Sequence, residues 1–406
     1  MTNFVQLHLL TCYPPANLNR DDLGRPKTCT VGGVERLRIS SQSLKRAWRT
    51  NPLFQEAVKD PLGIRTKRMG VLMFQALTQG RTLEDQVRIE EASEEKTEAG
   101  KLRKLNPRTA AEVVKGVAAV FGKLGPEAEE AETGEGVEAE ASSQKRTTSK
   151  AVKKSEAGEA AISEDDLQLK QLAHFSREEI RAVSELLEKS RKGEKIPSET
   201  GELKRLLLRR ESSAVDIAMF GRFFADAKDY TVEAAVQVGH AFGVQRATIT
   251  DDFFTAVDDL SRRDASGAGH MDVSEFDSGV FYLYVCVNHD LLKRNLQDNK
   301  DLAQRALRAL VACAAQVAPI GKQASFASRA YASYILAEKG QFQPRSLAVA
   351  YLDPITGPAI LKQAIAVLNE TRQRMDKAFG QEWQNRALDT SAGTGTLKEL
   401  QAFLTK

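Results

Sequence analysis

The sequence has little of what announces a function at a glance. Its 406 residues hold only four cysteines, Cys12, Cys29, Cys286 and Cys313, with no CxxC pair and no Cys/His spacing of the kind zinc sites use. They are expected as free thiols in a reducing compartment, with no metal and no cofactor. No basic stretch followed by an apolar core opens the chain, and no apolar run reaches the length of a membrane span. A cytoplasmic protein without membrane contact is therefore expected. The P-loop pattern GxxxxGK[ST] is missing, which excludes that phosphate cradle. No repeat of fixed period recurs, so any repetition must come from assembly. A formal net charge of +3 excludes a general polyanion-coating role, and any nucleic-acid function must come from local clustering.

What is present is ordinary in bulk: 42% hydrophobic and 28% charged residues, in a chain long enough for two structural units. The run FVQLHLLT (4–11) predicts a strand, and the Gly/Pro-punctuated stretch 17–33 a loop. A strand follows at 34–39, then a helix. Helical patterns fill 52–124, 177–192 and 201–210, and a further helix is expected at 231–242. Residues 246–260 read as extended, and GVFYLYVCVN (279–288) as a central buried strand. An amphipathic helix at 299–318, a strand at 325–338 and helices near 358–379 and 396–404 complete the chain. From 125 to 166 there is no aromatic residue and almost no large aliphatic one, so disorder is expected. Its basic part, KRTTSKAVKK, is either a plain solvated linker or an arm contacting nucleic acid. Strands, then helices, then strands again predict an α+β fold with a helical insertion.

The chemistry concentrates early. Among the first fifty residues eight Lys/Arg face three Asp/Glu, a local excess of five against three for the whole chain. Projected on a helix, Leu44, Ala47 and Trp48 share one arc, while Gln42, Lys45, Arg46 and Arg49 occupy the opposite one. Ser40 or Ser41 is placed as N-cap, and the amides of the first turn offer an anion site. Serine hydroxyls and helix-end amides could hold a phosphate, with Lys45 and Arg49 further along and Gln42 reaching sugars or base edges. The loop before the strand adds Arg20, Arg25 and Lys27, and Gly32 and Gly33 would let backbone approach a ligand. A second Gly-Lys pair, at Lys322 in PIGKQASFAS, is a weaker signal. The plain alternative is a solvated, capped helix face.

NLNRDDLGRPKTCTVGGVERLRISSQSLKRAWR, together with DIAMFGRF, DDFFTAVDDL and EFDSGVFYLYVCVN, resembles the CasC-type backbone subunit of the type I-E CRISPR Cascade complex. The likeness covers most of the chain outside 125–166. It implies a palm resembling an RNA-recognition (RRM) or ferredoxin-like fold, a helical fingers insertion and an extended thumb hairpin. The palm would span 1–51 and 213–406, and the fingers 52–212. It also implies guide RNA (crRNA), target DNA paired to the guide, other Cascade subunits and further copies of the chain as partners, the copies lining up as a filament. The implied RNA-backbone contacts are Lys27, Ser40, Gln42, Lys45 and Arg49, with Phe223 beside the RNA path. The thumb falls at about 240–258, with Phe242, Val244, Arg246, Phe253 and Phe254 as wedge or packing residues. For Phe253 and Phe254, core packing is the expected role.

The rival is an RRM-like endoribonuclease that processes CRISPR RNA. His8 and His289 lie in or beside strand patterns, His240 in a helical one, and His174 and His270 in polar segments. None is paired by spacing with a second acid or base. The pairs Asp21/Asp22, Asp251/Asp252 and Asp258/Asp259 could hold magnesium but fit caps, turns and ion pairs better. No catalytic residue is assigned, and a non-enzymatic protein is expected.

Overall fold

The apolar run near the start of the chain becomes a strand covered on both faces. In the computed structural model, which describes residues 2–59, 62–92, 100–125, 163–211, 214–224, 227–256 and 270–405, Phe4–Ala16 form β1. Val5, Leu7 and Leu9 enter one core, while Leu10 enters another beside the buried polar Gln6 and His8. The chain divides into two units, one of 1–63, 210–222 and 231–406, the other of 64–209 and 223–230.

The first unit is built on an antiparallel sheet. β2 (Thr28–Val31) and β3 (Val34–Ile39) form a hairpin, followed by α1 (Ser41–Arg49) and α2 (Pro52–Val58). β6 (Val236–Val238), β7 (Ala241–Gly243) and β8 (Thr250–Ala256) all pair with the long β9 (His270–Asn288), and β10 (Ala332–Gly340) and β11 (Gln384–Asp389) complete the sheet. The order is β11-β10-β1-β9-β7-β3-β2. Helices α8 (Val215–Phe220), α9 (His289–Asn295), α10 (Lys300–Gln316), the short α11 (Gln323–Phe326), α12 (Ile360–Phe379) and α13 (Leu397–Thr405) belong to the same unit. One core joins Val5, Leu7 and Leu9 to Trp48, Leu292, Leu307 and Leu404; the other joins Leu10, Tyr282 and Tyr334 to Tyr351, Ala364 and Leu368.

The second unit packs α3 (Met69–Gln79), α4 (Leu83–Ala92), α5 (Pro107–Ala118), α6 (Arg177–Arg191) and α7 (Thr200–Leu207) around its own core, with β4 (Ile64–Thr66) paired to β5 (Ala173–Phe175). Its start signals are legible. Ser176 caps α6 in a reciprocal box, its Oγ accepting from the Glu179 amide at 3.2 Å while Glu179 Oε2 accepts from the Ser176 amide at 2.9 Å.

The molecule is thus mixed α/β, with an antiparallel sheet and thirteen α-helices among the described residues. Several local expectations change. The stretch 231–242 is not a helix, because the edge of β9 needs hydrogen-bond partners and takes them from β6 and β7. The loop 17–33 contains β2, and the strand expected from 325 begins at Ala332, after α11. The helical unit begins at residue 64, not at 52, since α2 packs with α10 in the sheet unit. Of the low-complexity segment, 126–162 lie outside the described residues, whereas Glu164–Leu167 form a 3-10 turn with Leu167 buried. The hairpin expected at about 240–258 begins at Thr250 and pairs with the first part of β9, from Thr250 opposite Phe276 onward.

Candidate nucleic-acid interface

The early basic cluster is assembled around the start of α1. Leu44, Ala47 and Trp48 are buried as the helical projection requires, turning Gln42 and Arg46 outward. Ser40 is the N-cap: its Oγ accepts from the Ser43 amide at 3.3 Å, and its own amide donates to Asn19 Oδ1 at 2.7 Å. Only 6% exposed, Ser40 serves the helix from inside rather than presenting an open hydroxyl. β3 and β7 pair through Arg38 with Phe242 and Ile39 with Ala241, which sets His240 against the helix start. The Ser41 amide donates to His240 Nδ1 at 3.1 Å, and Arg38 Nη1 lies 3.4 Å from the same nitrogen. The Lys27 amide donates to the Asn19 carbonyl at 2.8 Å and the Arg38 amide to the Lys27 carbonyl at 2.7 Å, so Lys27 joins the group.

Electrostatics follow from this convergence. Partial burial, and then the positive charges of Arg38, Lys45 and Lys27, hold the His240 imidazole below its usual value. Because Nδ1 accepts, the neutral ring carries its proton on Nε2. Burial likewise pushes the Lys45 ammonium down. Among the described residues no carboxylate pairs with Arg20, Arg38, Lys45 or Arg46. Holding a half-buried cation without a counterion is costly, and an anion from outside relieves that cost. Nearby cations are spent differently: Arg25 Nε donates to Glu275 Oε1 at 2.9 Å, and Arg49 Nη1 to the fully buried Asp216 at 3.3 Å.

Arg49 therefore differs from its expected place on an open polar arc. Asp216 also accepts from the Gly63 amide at 2.8 Å, so the Arg49 charge neutralises a buried carboxylate that fastens the end of the segment after α2. Gly32 and Gly33 turn the β2–β3 hairpin at positive φ, and a Cβ at Gly32 would collide with the Leu352 carbonyl. The close approach at Gly32 is to the chain's own backbone, whereas a Cβ at Gly33 would meet nothing within 4 Å. Arg36 is wholly buried, its guanidinium donating to the carbonyls of Gly243, Val244, Tyr351 and Leu352.

Ahead of the hairpin, Phe242 and Val244 are buried and pack in the second core of the sheet unit. Phe253 and Phe254 reverse the expectation of core packing: they are 64% and 42% exposed, because β8 lies alongside β9 beyond the cores. Arg246 is exposed. Lys322 Nζ donates to Ser274 Oγ at 3.1 Å, tying the 319–328 turn to the hairpin. Asn17 Nδ2 bridges the carbonyls of Gly24 (2.9 Å) and Glu275 (3.0 Å), tying the basic loop to it as well. Phe223 is 71% exposed and counts with the helical unit.

Arg38, His240 and Asn19 were not singled out by the sequence. Arg38 was visible as a basic residue of β3, but His240 had no signal, since 202 residues separate it from Arg38. Among the described residues no group of three or more His, Cys, Asp or Glu is arranged to hold a metal ion. Asp21 Oδ1 instead accepts from the Leu23 and Arg25 amides in a turn, and Asp258/Asp259 lie outside the described residues. No helix among the described residues is long and apolar enough to cross a membrane.

These features define a mixed α/β protein with an antiparallel sheet, a cation-rich helix start at one sheet edge and an aromatic-bearing hairpin. The chain belongs to the CT1975-like protein family, whose model matches residues 5–404. Among solved structures, it is similar to a chain of a "CRISPR RNA-guided surveillance complex, pre-nicking", at 24% identity and a TM-score of 0.72, covering 99% of both chains. A chain of a "CRISPR RNA-guided surveillance complex" is similar at 21% identity and a TM-score of 0.54, covering 99% of this chain and 98% of the other. At these identities the likeness is one of fold. No curated protein matches the chain.

Proposed function

We propose that this protein is a guide-RNA-binding backbone subunit of a Cascade-type CRISPR surveillance complex, of the type I-E kind, and that it is not an enzyme. The observation that carries the reading is the cluster at the start of α1, where Arg38 and Lys45 have no carboxylate partner among the described residues and crowd a neutral histidine together with Lys27. Phosphodiesters supply the missing charge without being read for sequence, which suits a protein that must hold any guide. The likeness in fold to chains of two CRISPR RNA-guided surveillance complexes supports the same assignment.

In this proposal the sheet unit is an RRM-like palm, the helical unit the fingers and β8–β9 the thumb. Lys27, Arg38, Lys45, Gln42, Arg46 and the first amides of α1 follow the RNA backbone, with Arg20 and Lys322 flanking. Ser40 and Arg49 hold that surface in place. Exposed Phe253, Phe254 and Arg246 are available to wedge between nucleotides, a kink that costs on the order of a few kcal/mol per unstacked step. Further copies of the chain extend a filament along the guide, which pairs with target DNA, and other Cascade subunits cap it in the cytoplasm. The His8–Glu338 pair offers no catalytic alternative, since both residues are 0% exposed.

The test is to incubate the purified protein with repeat-containing RNA and magnesium. Retention of intact RNA, with a raised absorbance ratio at the nucleic-acid wavelength, is expected. Discrete cleavage products that disappear in a histidine-to-alanine variant would favour the endoribonuclease instead.

A further inference from the structure

We propose that His240 is a displaceable, proton-coupled cap on the phosphate site: in the free protein its ring occupies the first amide of α1, and a phosphate takes that amide as the ring takes up a proton. The proposal rests on the RNA-binding role given above and assigns a residue which that role did not include.

The geometry makes the two states exclusive. His240 Nδ1 faces two donors, the Ser41 amide at 3.1 Å and Arg38 Nη1 at 3.4 Å, and only a neutral ring with its proton on Nε2 can accept from either. In the first turn of α1 the Ser43 amide is satisfied by Ser40 Oγ and the Ser41 amide by His240, while the Gln42 amide has no internal acceptor among the described residues. The anion site of this helix is thus half open and half covered, and the cover is a surface side chain.

The charges that act on the ring come from three elements: Arg38 on β3, Lys45 on α1 and Lys27 on the loop before β2. All three are positive, and together with partial burial they keep the free ring neutral. A phosphodiester entering beside Arg38 and Lys45 brings negative charge next to the ring and opposes the field that lowers it, which favours the imidazolium. The proton comes from solvent and bonds to Nδ1, turning that nitrogen from acceptor to donor. The Ser41 amide and the Arg38 guanidinium lose their shared acceptor and turn to the phosphate oxygens. One proton taken up therefore frees two donors and adds a third.

The sign of the linkage follows. The ring's value is lowered in the free protein and raised in the complex, so RNA affinity is full below the free value and falls as pH rises towards the bound one. Within that window the fall approaches tenfold per pH unit for each site. The RNA phosphodiester itself does not titrate there.

The experiment measures binding of a fluorescein-labelled single-stranded RNA to the full-length protein by anisotropy, at constant ionic strength, between about pH 5 and 8. Wild type, His240→Gln and Lys45→Ala are compared. Wild type should bind more tightly as pH falls. His240→Gln, whose side-chain carbonyl can still cap Ser41 but cannot charge, should bind RNA with a flat profile. Lys45→Ala should bind more weakly and still lose affinity as pH rises, with the fall displaced to higher pH because one of the charges that lower the ring is gone. A wild-type slope that survives in His240→Gln, or a flat wild-type profile with RNA bound, overturns the proposal while leaving the RNA-binding role standing. No binding by wild type at any pH overturns the role itself.

Discussion

Replacing Lys45 with methionine should move RNA binding and stability in different directions. Methionine keeps an unbranched stem to cover the flank of α1 and removes only the charge. That charge is half buried and has no carboxylate partner among the described residues, so its loss leaves no orphaned anion behind. Stability should stay within about 0.5 kcal/mol of wild type, with any change favourable. In the complex the ammonium meets a phosphate, and a charge-assisted contact of about 1.5–3 kcal/mol is lost, roughly 10- to 100-fold in affinity. Because the contact is with backbone, the loss should be equal for unrelated sequences, and the log–log salt slope should flatten by about 0.7. Arg49→Met provides the contrast. It removes one ion-pair partner of Asp216, which is 0% exposed, and should cost about 2–3 kcal/mol, at or below the range for a broken buried pair because other contacts, the Gly63 amide among them, remain on the carboxylate. Its salt slope should not change. Titrations at several salt concentrations, with thermal melts of the same samples, read both quantities. An unchanged slope in Lys45→Met, or a flattened slope in a folded Arg49→Met, would refute the division of labour on α1.

Three further outcomes are expected. Phe253→Ala combined with Phe254→Ala removes exposed rings, so the melting temperature should hold while assembly on long RNA, read by sedimentation, is lost; normal assembly would remove the wedge from the hairpin. His8 accepts from the Tyr282 hydroxyl and donates to Glu338; burial lowers its value, and although burial opposes the change in Glu338, hydrogen bonds from His8 and Arg345 hold that carboxyl low as well. Both folded values lie below the unfolded ones, so stability should be full above about pH 6.5 and drain as pH falls through the folded values; a flat melting profile on acidification would contradict this. Finally, Cys12 alone is exposed, whereas burial raises Cys286 and pushes Cys313 up to about 12, so thiol titration of the native protein should show Cys12 reacting fast and these two only after denaturation.

The parts of the fold legible in the sequence are those whose hydrophobic period matches their surroundings. Leu44, Ala47 and Trp48 fixed the buried face of α1, and GVFYLYVCVN marked the covered end of β9. The other end of β9, HMDVSEFDS, carries no such pattern because from His270 to Phe276 it pairs with β8, beyond the cores. β11 was hidden for the same reason, as an exposed edge strand. The apolar spacing of TVEAAVQVGHAF suits a helix, but Val236 and Phe242 are held by the backbone of β9, and tertiary pairing overrides the local preference. The candidate site divides in the same way. Its lysines and serines lie in one contiguous stretch and could be listed, but a helical projection cannot reveal that Asp216 waits for Arg49 or that strand pairing brings His240 to Ser41. Charge content is local in sequence; charge compensation is not.

The central claim is that RNA lies on the start of α1, and photo-crosslinking tests it directly. A single-stranded RNA carrying 4-thiouridine at several positions is bound to the full-length protein, irradiated and digested, and the crosslinked peptides are identified by mass spectrometry. The account predicts crosslinks within residues 20–49 and around His240, whatever the RNA sequence. Crosslinks confined to the helical unit, with none at Lys27, Arg38, Lys45 or His240, would contradict it.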